Sequence, residues 1–366
     1  MSKLRLLSAL AAAATLPSSF ALADHPGGIG SSIGAGPAIT IPATTLAQGR
    51  IATFVIHEYV SLRTLSDRVL IDAAGRHQHA HSVGSIQSTF LGAAYGVTDD
   101  LTIALRLPFV RRSAIREGAH AHGAGGAVLN SVDRRGDSSG VGDLTLLGQW
   151  RFLNDRPSAT EAAFLFGVRV PTGETHVRDR SGRRFETEFQ PGSGSVNPLV
   201  GVAVTRRFGS WSFDANILHE FASKGVQQTN LGDRFLYNVA LSYRLIGSSA
   251  PGALRGPNGA HAPGHAHDHV HEDGHHHDHG PEPAPAPSFA LDGILELNGR
   301  WEDKERVAGV RNPNSGGNTV YLSPGLRASY ANMSGFLSVG VPVANHANGL
   351  HPKPDYRIVS GITLSF

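Results

Sequence analysis

The chain has 366 residues with no cysteine, 44 glycines, 17% charged residues and a formal net charge of +2. The lack of cysteine excludes a disulfide framework, thiolate metal sites and cysteine catalysis, and the small net charge gives no indication of a nucleic-acid partner. Beyond residue 23 no stretch reaches the roughly 18 apolar residues of a membrane-spanning helix, which excludes helical membrane proteins but not β-barrels, whose apolar surface lies in every second residue.

The first 23 residues have the features of a secretory signal peptide. Lys3 and Arg5 precede a short apolar core at residues 6–16, and Ala21-Leu22-Ala23 matches an A-x-A cleavage site. The core is too short for a membrane anchor. We therefore predict export of the chain and a flexible N-terminal segment over residues 24–48.

Most of the remaining chain alternates apolar and polar residues. Positions 101, 103, 105, 107 and 109 are Leu, Ile, Leu, Leu and Phe, and the positions between them include Arg106. A period of two is typical of a β-strand with two different environments. The same pattern predicts strands near residues 50–62, 85–97, 101–110, 142–153, 161–171, 196–206, 211–222, 234–246, 289–301, 318–330, 335–343 and 356–366.

Three features favour a membrane barrel over a soluble β-sandwich. Strands of about ten residues can cross a bilayer when tilted, and the last strand ends on Phe366 without a polar tail. Aromatic residues stand near strand ends, as an interfacial girdle requires: Tyr95, Phe109, Trp150, Trp211, Tyr243, Trp301 and Tyr356. We therefore predict an all-β fold, an antiparallel transmembrane β-barrel of about 12 strands over residues 49–366.

The predicted connections alternate between short turns and long loops. Short turns belong on the periplasmic side and long loops outside, so both termini are expected in the periplasm. Residues 247–288 are long but fall on the periplasmic side by strand parity. We expect localisation in the bacterial outer membrane, contact with its lipid, and insertion by the barrel-assembly machinery through the C-terminal strand 356–366.

Several short motifs, in this order along the chain, carry a family resemblance. They are Gly36-Pro37-Ala38-Ile39-Thr40, Thr45-Leu46 with Gly49-Arg50, Ala94-Tyr95-Gly96-Val97-Thr98-Asp99-Asp100-Leu101, Gly142-Asp143-Leu144, Pro171-Thr172-Gly173 and Tyr321-Leu322-Ser323-Pro324-Gly325. Together they resemble the outer-membrane transporter family named after the meta-pathway of phenol degradation. The resemblance implies an outer-membrane barrel and a channel for small molecules, and it assigns no binding residue. The His-rich insert departs from the family pattern.

That insert, residues 247–288, is rich in Gly, Ala and Pro, a composition that predicts disorder. It holds nine of the 20 histidines, and imidazole with carboxylate ligands suits Zn²⁺, Ni²⁺, Co²⁺ or Cu²⁺. The candidate metal ligands are His261, His265, His267, His269, His271, His275, His276, His277, His279, Asp268, Glu272, Asp273 and Asp278. We predict labile chelation with no required cofactor; the alternative is a solvated linker without a ligand.

A second group of histidines, His77, His79 and His81, lies in the first long loop. Their alternate spacing can present several imidazoles on one side, which makes them further candidate metal ligands. Exposed loop histidines without a ligand are the alternative. Metal-binding loops at both ends of a barrel would suit a metal-handling channel.

Charged residues of both signs occupy inward positions of the predicted strands. These candidate lumen-lining residues are Glu58, Arg106, Asp143, Arg151, Arg169, Asp214, Glu220, Arg244, Asp292, Glu296, Arg300 and Arg327. In one interpretation, opposite charges cross-link neighbouring strands and hold a polar, water-filled interior. In the other, rings of charge select the permeant.

Two functions of different classes follow from these features. The first is an outer-membrane channel for small solutes, including divalent metal ions bound by the His-rich loop. The second is a non-conducting metal-binding barrel that presents the His-rich segment to periplasmic partners. A lipid-modifying barrel enzyme is a third hypothesis, but the neighbours His219 and Glu220 face opposite sides of a strand. We therefore expect no enzyme activity.

Overall fold

The computed structural model describes residues 36–78, 80–122, 128–247 and 289–366. The predicted signal peptide and the His-rich insert lie outside these residues. The long strands are β1 (Ile51–Arg63), β2 (Ser85–Thr98), β3 (Leu101–His122), β4 (Val128–Val141), β5 (Leu144–Asp155), β6 (Thr160–Val170), β7 (Asn197–Phe208), β8 (Trp211–Glu220), β9 (Arg234–Ile246), β10 (Phe289–Glu302), β11 (Gly317–Tyr330), β12 (Met333–Ala347) and β13 (Lys353–Ser365).

Shorter elements lie in the connections between these strands. They are helix α1 (Asp67–Gly75), the two-residue strands His81–Ser82, Thr229–Asn230, Arg306–Val307 and Val310–Arg311, and the 3-10 turns Thr187–Phe189 and Val226–Gln228. No helix in the described ranges is long and apolar enough to cross a membrane.

Antiparallel pairing closes the strands into a barrel with 12 strand positions, as predicted. The first strand, β1, pairs with β2 on one side and with β13 on the other, from Ala52 opposite Ser365 to Arg63 opposite Lys353. Residues 101–106 of β3 pair with β5, whereas residues 109–122 of β3 pair with β4. Thus β4 continues the line of β5, and the two together occupy one strand position.

The two faces of the barrel differ as the alternation predicts. On β3, Ile103, Leu105 and Phe109 expose 39–51% of their surface, whereas Thr102 and Arg106 are buried inside. Trp150, Trp211 and Tyr243 are likewise exposed on the outside. Because each of the 12 strand positions pairs with two neighbours and the outer face is apolar, the barrel has the surface of an outer-membrane protein.

The connection between β3 and β5 differs from the loop predicted over residues 111–141. The chain instead continues as a β-hairpin, the hairpin arm, in which Phe109 pairs with Val141 and His122 with Val128. Helix α1 packs against it through the buried Leu70 and Ala73. The apolar period is lost here because the arm extends beyond the membrane belt, so polar residues such as Arg111 stand on its outer face.

The short turns lie together at one end of the barrel and the long connections at the other. At the short-turn end, Arg244 N donates to Ser210 O (2.9 Å) and Phe366 N donates to Ile51 O (2.7 Å). Phe289 also lies there, opposite Tyr330. Both flanks of the His-rich insert therefore emerge at the short-turn end, beside the C-terminus.

Arginine at Leu241, near the middle of β9, tests the orientation of the barrel in lipid. Leu241 is 38% exposed and pairs with Leu295 and Phe213 on the outer face. We expect Leu241→Arg to lower the free energy of unfolding from lipid vesicles by about 2–4 kcal/mol, as charge at mid-bilayer depth does. Leu245→Arg, closer to the short-turn end, is the control and should cost about 0–1 kcal/mol. Equal costs at both positions would contradict a membrane belt centred on Leu241.

Candidate functional site

Charged side chains of both signs line the interior of the barrel. All twelve candidate lumen-lining residues lie on the inner face: Glu58, Arg106, Asp143, Arg151, Arg169, Asp214, Glu220, Arg244, Asp292, Glu296, Arg300 and Arg327. Their side chains are at most 12% exposed. The inner face is therefore polar and enclosed, whereas the outer face is apolar.

Many of these charges are paired, either between strands or along one strand. Arg169 Nη2 on β6 lies 2.9 Å from Glu220 Oε2 on β8, and Arg300 Nη2 lies 2.7 Å from Glu302 Oε1 on the same strand, β10. Arg244 pairs with Asp292. Pairing with hydrogen bonding is what makes burial of such charges tolerable. Such pairs cross-link strands of the wall.

A segment of the chain itself crosses the lumen. Residues 36–46, here called the plug, are buried except for the half-buried Thr44 and Thr45. The sequence predicts flexibility over 24–48, but the described part of that range lies inside the barrel and makes side-chain contacts to β3, β5, β7, β8, β10 and β11. The physical reason is that the polar wall offers hydrogen bonds to an unpaired backbone.

Glu296 on β10 holds one end of the plug. Its Oε1 accepts the backbone N–H groups of Ala38 at 2.8 Å and Ile39 at 3.0 Å, with Thr40 N at 3.3 Å. Arg327 donates to the carbonyl of Pro37 beside it. A carboxylate that accepts several backbone N–H groups forms charge-assisted bonds, which are the stronger class of hydrogen bond.

The rest of the plug is held by neutral side chains. Asn216 Oδ1 accepts from Ile41 N at 2.9 Å, and Thr205 Oγ1 accepts from Ala43 N at 2.8 Å. Gln149 Nε2 donates to the carbonyls of Pro42 and Thr44 at 2.9 and 2.8 Å. These side chains supply hydrogen bonds that a neighbouring strand would otherwise provide to the plug backbone. The plug is therefore held in place without joining the sheet.

Apolar contacts complete the seating of the plug. Ile39 packs in a cluster with Phe54, Phe90 and Val359, all on the inner face. At the short-turn end the chain leaves the lumen beside Gly96, where an added Cβ would lie 2.1 Å from the carbonyl oxygen of Ala47. Only glycine allows this close approach of the two backbones.

Residues 171–196, the cap loop, fold back over the long-loop end. Asp143 anchors the loop, because its carboxylate accepts Gly173 N at 3.0 Å and Ser193 N at 2.8 Å. Gln190 fixes its centre by accepting from Val177 N (2.9 Å) and donating to Phe185 O (2.7 Å). Asp143, expected to line a lumen, therefore acts here as the attachment point of a loop.

A cavity with about 960 Å³ of empty volume, part of it open to solvent, lies under the cap loop. We call it the mouth cavity. Its lining includes apolar residues such as Val110 and Leu350 and the charged residues Arg112, Asp143, Arg169, Glu188, Arg234 and Glu305. Concave sites that combine apolar lining with a few polar groups are where small molecules bind.

Acidic groups and histidines concentrate on one wall of the mouth cavity. His81 Nε2 lies 3.3 Å from Glu186 Oε2 and 3.4 Å from Glu188 Oε1. Burial, together with the charge of Glu186, raises the pKa of Glu188 to about 8. Burial, together with the charge of Glu188, raises the pKa of Glu305 to about 8. Burial lowers the pKa of His351 to about 3, so this imidazole is neutral.

The structure separates the histidines of the first long loop. His81 is 9% exposed and enters the mouth cavity, whereas His77 is exposed, with its ring 4.6 Å from that of His120. His79 and the candidate ligands of the His-rich insert lie outside the described residues. Glu186, Glu188 and Glu305 were missed by the sequence analysis, although the run Phe185-Glu186-Thr187-Glu188-Phe189 shows two acids alternating with apolar or small residues.

Two sequence patterns associated with hydrolases occur in the chain. Residues 136–140 read G-x-S-x-G, but Ser138 lies within β4 and its buried Oγ donates to Phe189 O at 2.6 Å. A nucleophile elbow requires a strand–turn–helix context that β4 does not provide. Residues 271–275 read H-E-x-x-H and lie outside the described residues. The Ser138 environment is thus structural.

Comparisons with known structures identify several similar chains. The COG4313 outer membrane channel from Pseudomonas putida F1 is 15% identical, with 88% of this chain and 98% of that chain covered and a TM-score of 0.53. The Ralstonia pickettii toluene transporter TbuX is 9% identical, with 88% and 90% covered and a TM-score of 0.41. LpxR from Salmonella typhimurium is 14% identical, with 85% and 99% covered and a TM-score of 0.38.

The sequence comparisons address the family. No match was found among curated proteins. Residues 71–278, more than half of the chain, match the family described as "Putative MetA-pathway of phenol degradation". This match confirms the resemblance carried by the short motifs. The chain is an outer-membrane β-barrel that belongs to this phenol-degradation family.

Proposed function

We propose that the protein is an outer-membrane channel for small solutes in which the plug is a movable gate. The observation that carries this proposal is the plug itself, a segment of the chain that crosses a polar lumen and is held there by hydrogen bonds from the wall. The shared fold with the Pseudomonas putida channel places the chain among barrels of this architecture. The mouth cavity would receive the solute before the plug.

The energetics of the plug suit a gate. A hydrogen bond to a charged group contributes about 1.5–3 kcal/mol and a neutral one about 0.5–1.5 kcal/mol. Glu296 supplies charge-assisted hydrogen bonds to the plug backbone through the N–H groups of Ala38, Ile39 and Thr40. Release of the plug breaks these bonds but none of the hydrogen bonds between strands, and proteins open locally without global unfolding. Opening of the plug can therefore occur within an intact wall.

Glu296→Gln tests the gate in planar bilayers. The amide keeps one acceptor but loses the charge, so we expect wild-type chains to open rarely and Glu296→Gln chains to open about tenfold more often, equivalent to about 1.4 kcal/mol. Deletion of residues 36–46 should leave the barrel continuously conducting. Glu302→Gln is the control, since it removes the same charge from the inner face of β10, where Glu302 binds Arg300 and Arg234.

Two results of this experiment would contradict the proposal. Deletion chains that form folded barrels without ion-permeable openings would reject a gated channel. Equal opening of the Glu296→Gln and Glu302→Gln chains would reject the assigned role of Glu296.

A non-conducting scaffold is the second candidate, and one observation favours it. The plug and the paired charges both occupy the interior, for example where Arg357 Nη1 lies 3.7 Å from Glu58 Oε1. In this function the barrel presents the His-rich insert to periplasmic partners. The deletion experiment above separates the two candidates, because a scaffold would not conduct in either form.

For either candidate we propose that the His-rich insert binds divalent metal ions. Titration of the full chain with Ni²⁺ at neutral pH should show several labile sites, which disappear when the nine histidines of residues 261–279 are replaced by alanine. Acidification should weaken this binding, because imidazole nitrogens must be deprotonated to bind a metal ion. The same titration heat in both chains would contradict the proposal.

A further inference from the structure

Three side chains capable of binding a metal meet at one wall of the mouth cavity. His81 offers Nε2, and Glu186 and Glu188 each offer a carboxylate oxygen, and these three atoms all lie within 4.8 Å of one another. Glu305 lies on the lining of the same cavity. The cluster belongs to the long-loop end, at the opposite end of the barrel from the flanks of the His-rich insert.

The positions of the three side chains are set by the fold. His81 belongs to the short strand His81–Ser82, where it pairs with Glu117 of β3. Its ring lies edge-on to Phe189, with centroids 5.1 Å apart. Within the cap loop the side chains of Thr187 and Phe189 are buried, and those of Glu186 and Glu188, which alternate with them, face the histidine. The cluster is thus pre-organised on well-packed elements, as metal sites require.

The spacing of the ligand atoms fits a cation better than a direct hydrogen bond. Ligands bonded at about 2.0–2.2 Å to a tetrahedral Zn²⁺ lie about 3.3–3.6 Å from one another. The observed separations from Nε2 are 3.3 and 3.4 Å, whereas N–H···O hydrogen bonds are about 2.7–3.2 Å long. The buried Nδ1 of His81 also has no hydrogen-bond partner within the described part of the chain.

We propose that His81, Glu186 and Glu188 bind a divalent transition-metal cation of the Zn²⁺ type, with the fourth coordination position open to the mouth cavity. A cation there neutralises carboxylates that otherwise repel one another in a largely buried wall. Glu305 lines the same cavity and shares a side-chain hydrogen bond with Glu188, so it can orient this ligand. The site goes beyond the proposed channel function and exists whether or not the barrel conducts.

Cobalt(II) is the probe, because Co²⁺ in a tetrahedral site absorbs visible light much more strongly than octahedral Co²⁺. The full chain in detergent, with the nine histidines of residues 261–279 replaced by alanine to remove metal binding by the His-rich insert, is titrated with CoCl₂. We expect an intense visible band that saturates at about one Co²⁺ per chain and disappears when ZnCl₂ is added. In the same background, His81→Gln and Glu188→Gln should each lose the band.

Glu174→Gln is the matched control. Glu174 is an exposed carboxylate of the same cap loop that accepts Val141 N through Oε1, and its amide can keep that bond, so this variant should retain the band. Far-UV circular dichroism establishes that each chain is folded, and Glu186→Gln replaces any variant that is not. Absence of the band from the chain in which His81 and Glu188 are intact would overturn the proposal. A band of undiminished intensity in the His81→Gln and Glu188→Gln chains would also overturn it.

Discussion

The constraint on which this molecule depends is that lipid offers no hydrogen bonds to a peptide backbone. Each strand must therefore pair on both sides, and the pairing of β1 with β13 removes the last free edge. Closure fixes the interior as well as the wall. Every second residue points inward, so buried charges such as Arg169 and Glu220 must find partners across the strands. The same polar wall holds the plug, whose backbone has no strand partner of its own.

Closure also divides the interior into two compartments of different chemistry. In the compartment that holds the plug, Glu296 and neutral side chains such as Asn216 bind the plug backbone, and apolar residues around Ile39 fill the remaining space. In the compartment at the long-loop end, the cap loop attached to Asp143 covers a cavity lined by charged groups. The first compartment controls passage in the function we propose. The second is where a solute or cation would first be held.

The strands and their inward charges could be predicted from the sequence because both follow from a local period of two. The interior contents could not. The plug alternates no more than any short loop, and its order comes from Glu296, which is 258 residues away from Ala38. The separation of His77 from His81 likewise depends on contacts with distant residues, Phe189 and His120. Such sites are assembled by closure of the barrel, which no local pattern encodes.

The flanks of the His-rich insert have a consequence for how this protein can change. Ile246 already pairs with Leu291, and Phe289 pairs with Tyr330, so the ladder is complete before the insert begins. The entropy of closing a connection grows only logarithmically, by about 0.6 kcal/mol for each doubling in length. Insertions and deletions between these anchors therefore cost the barrel little. The barrel can serve as a platform on which segments of other lengths and ligand chemistries are exchanged while the register of the wall is preserved.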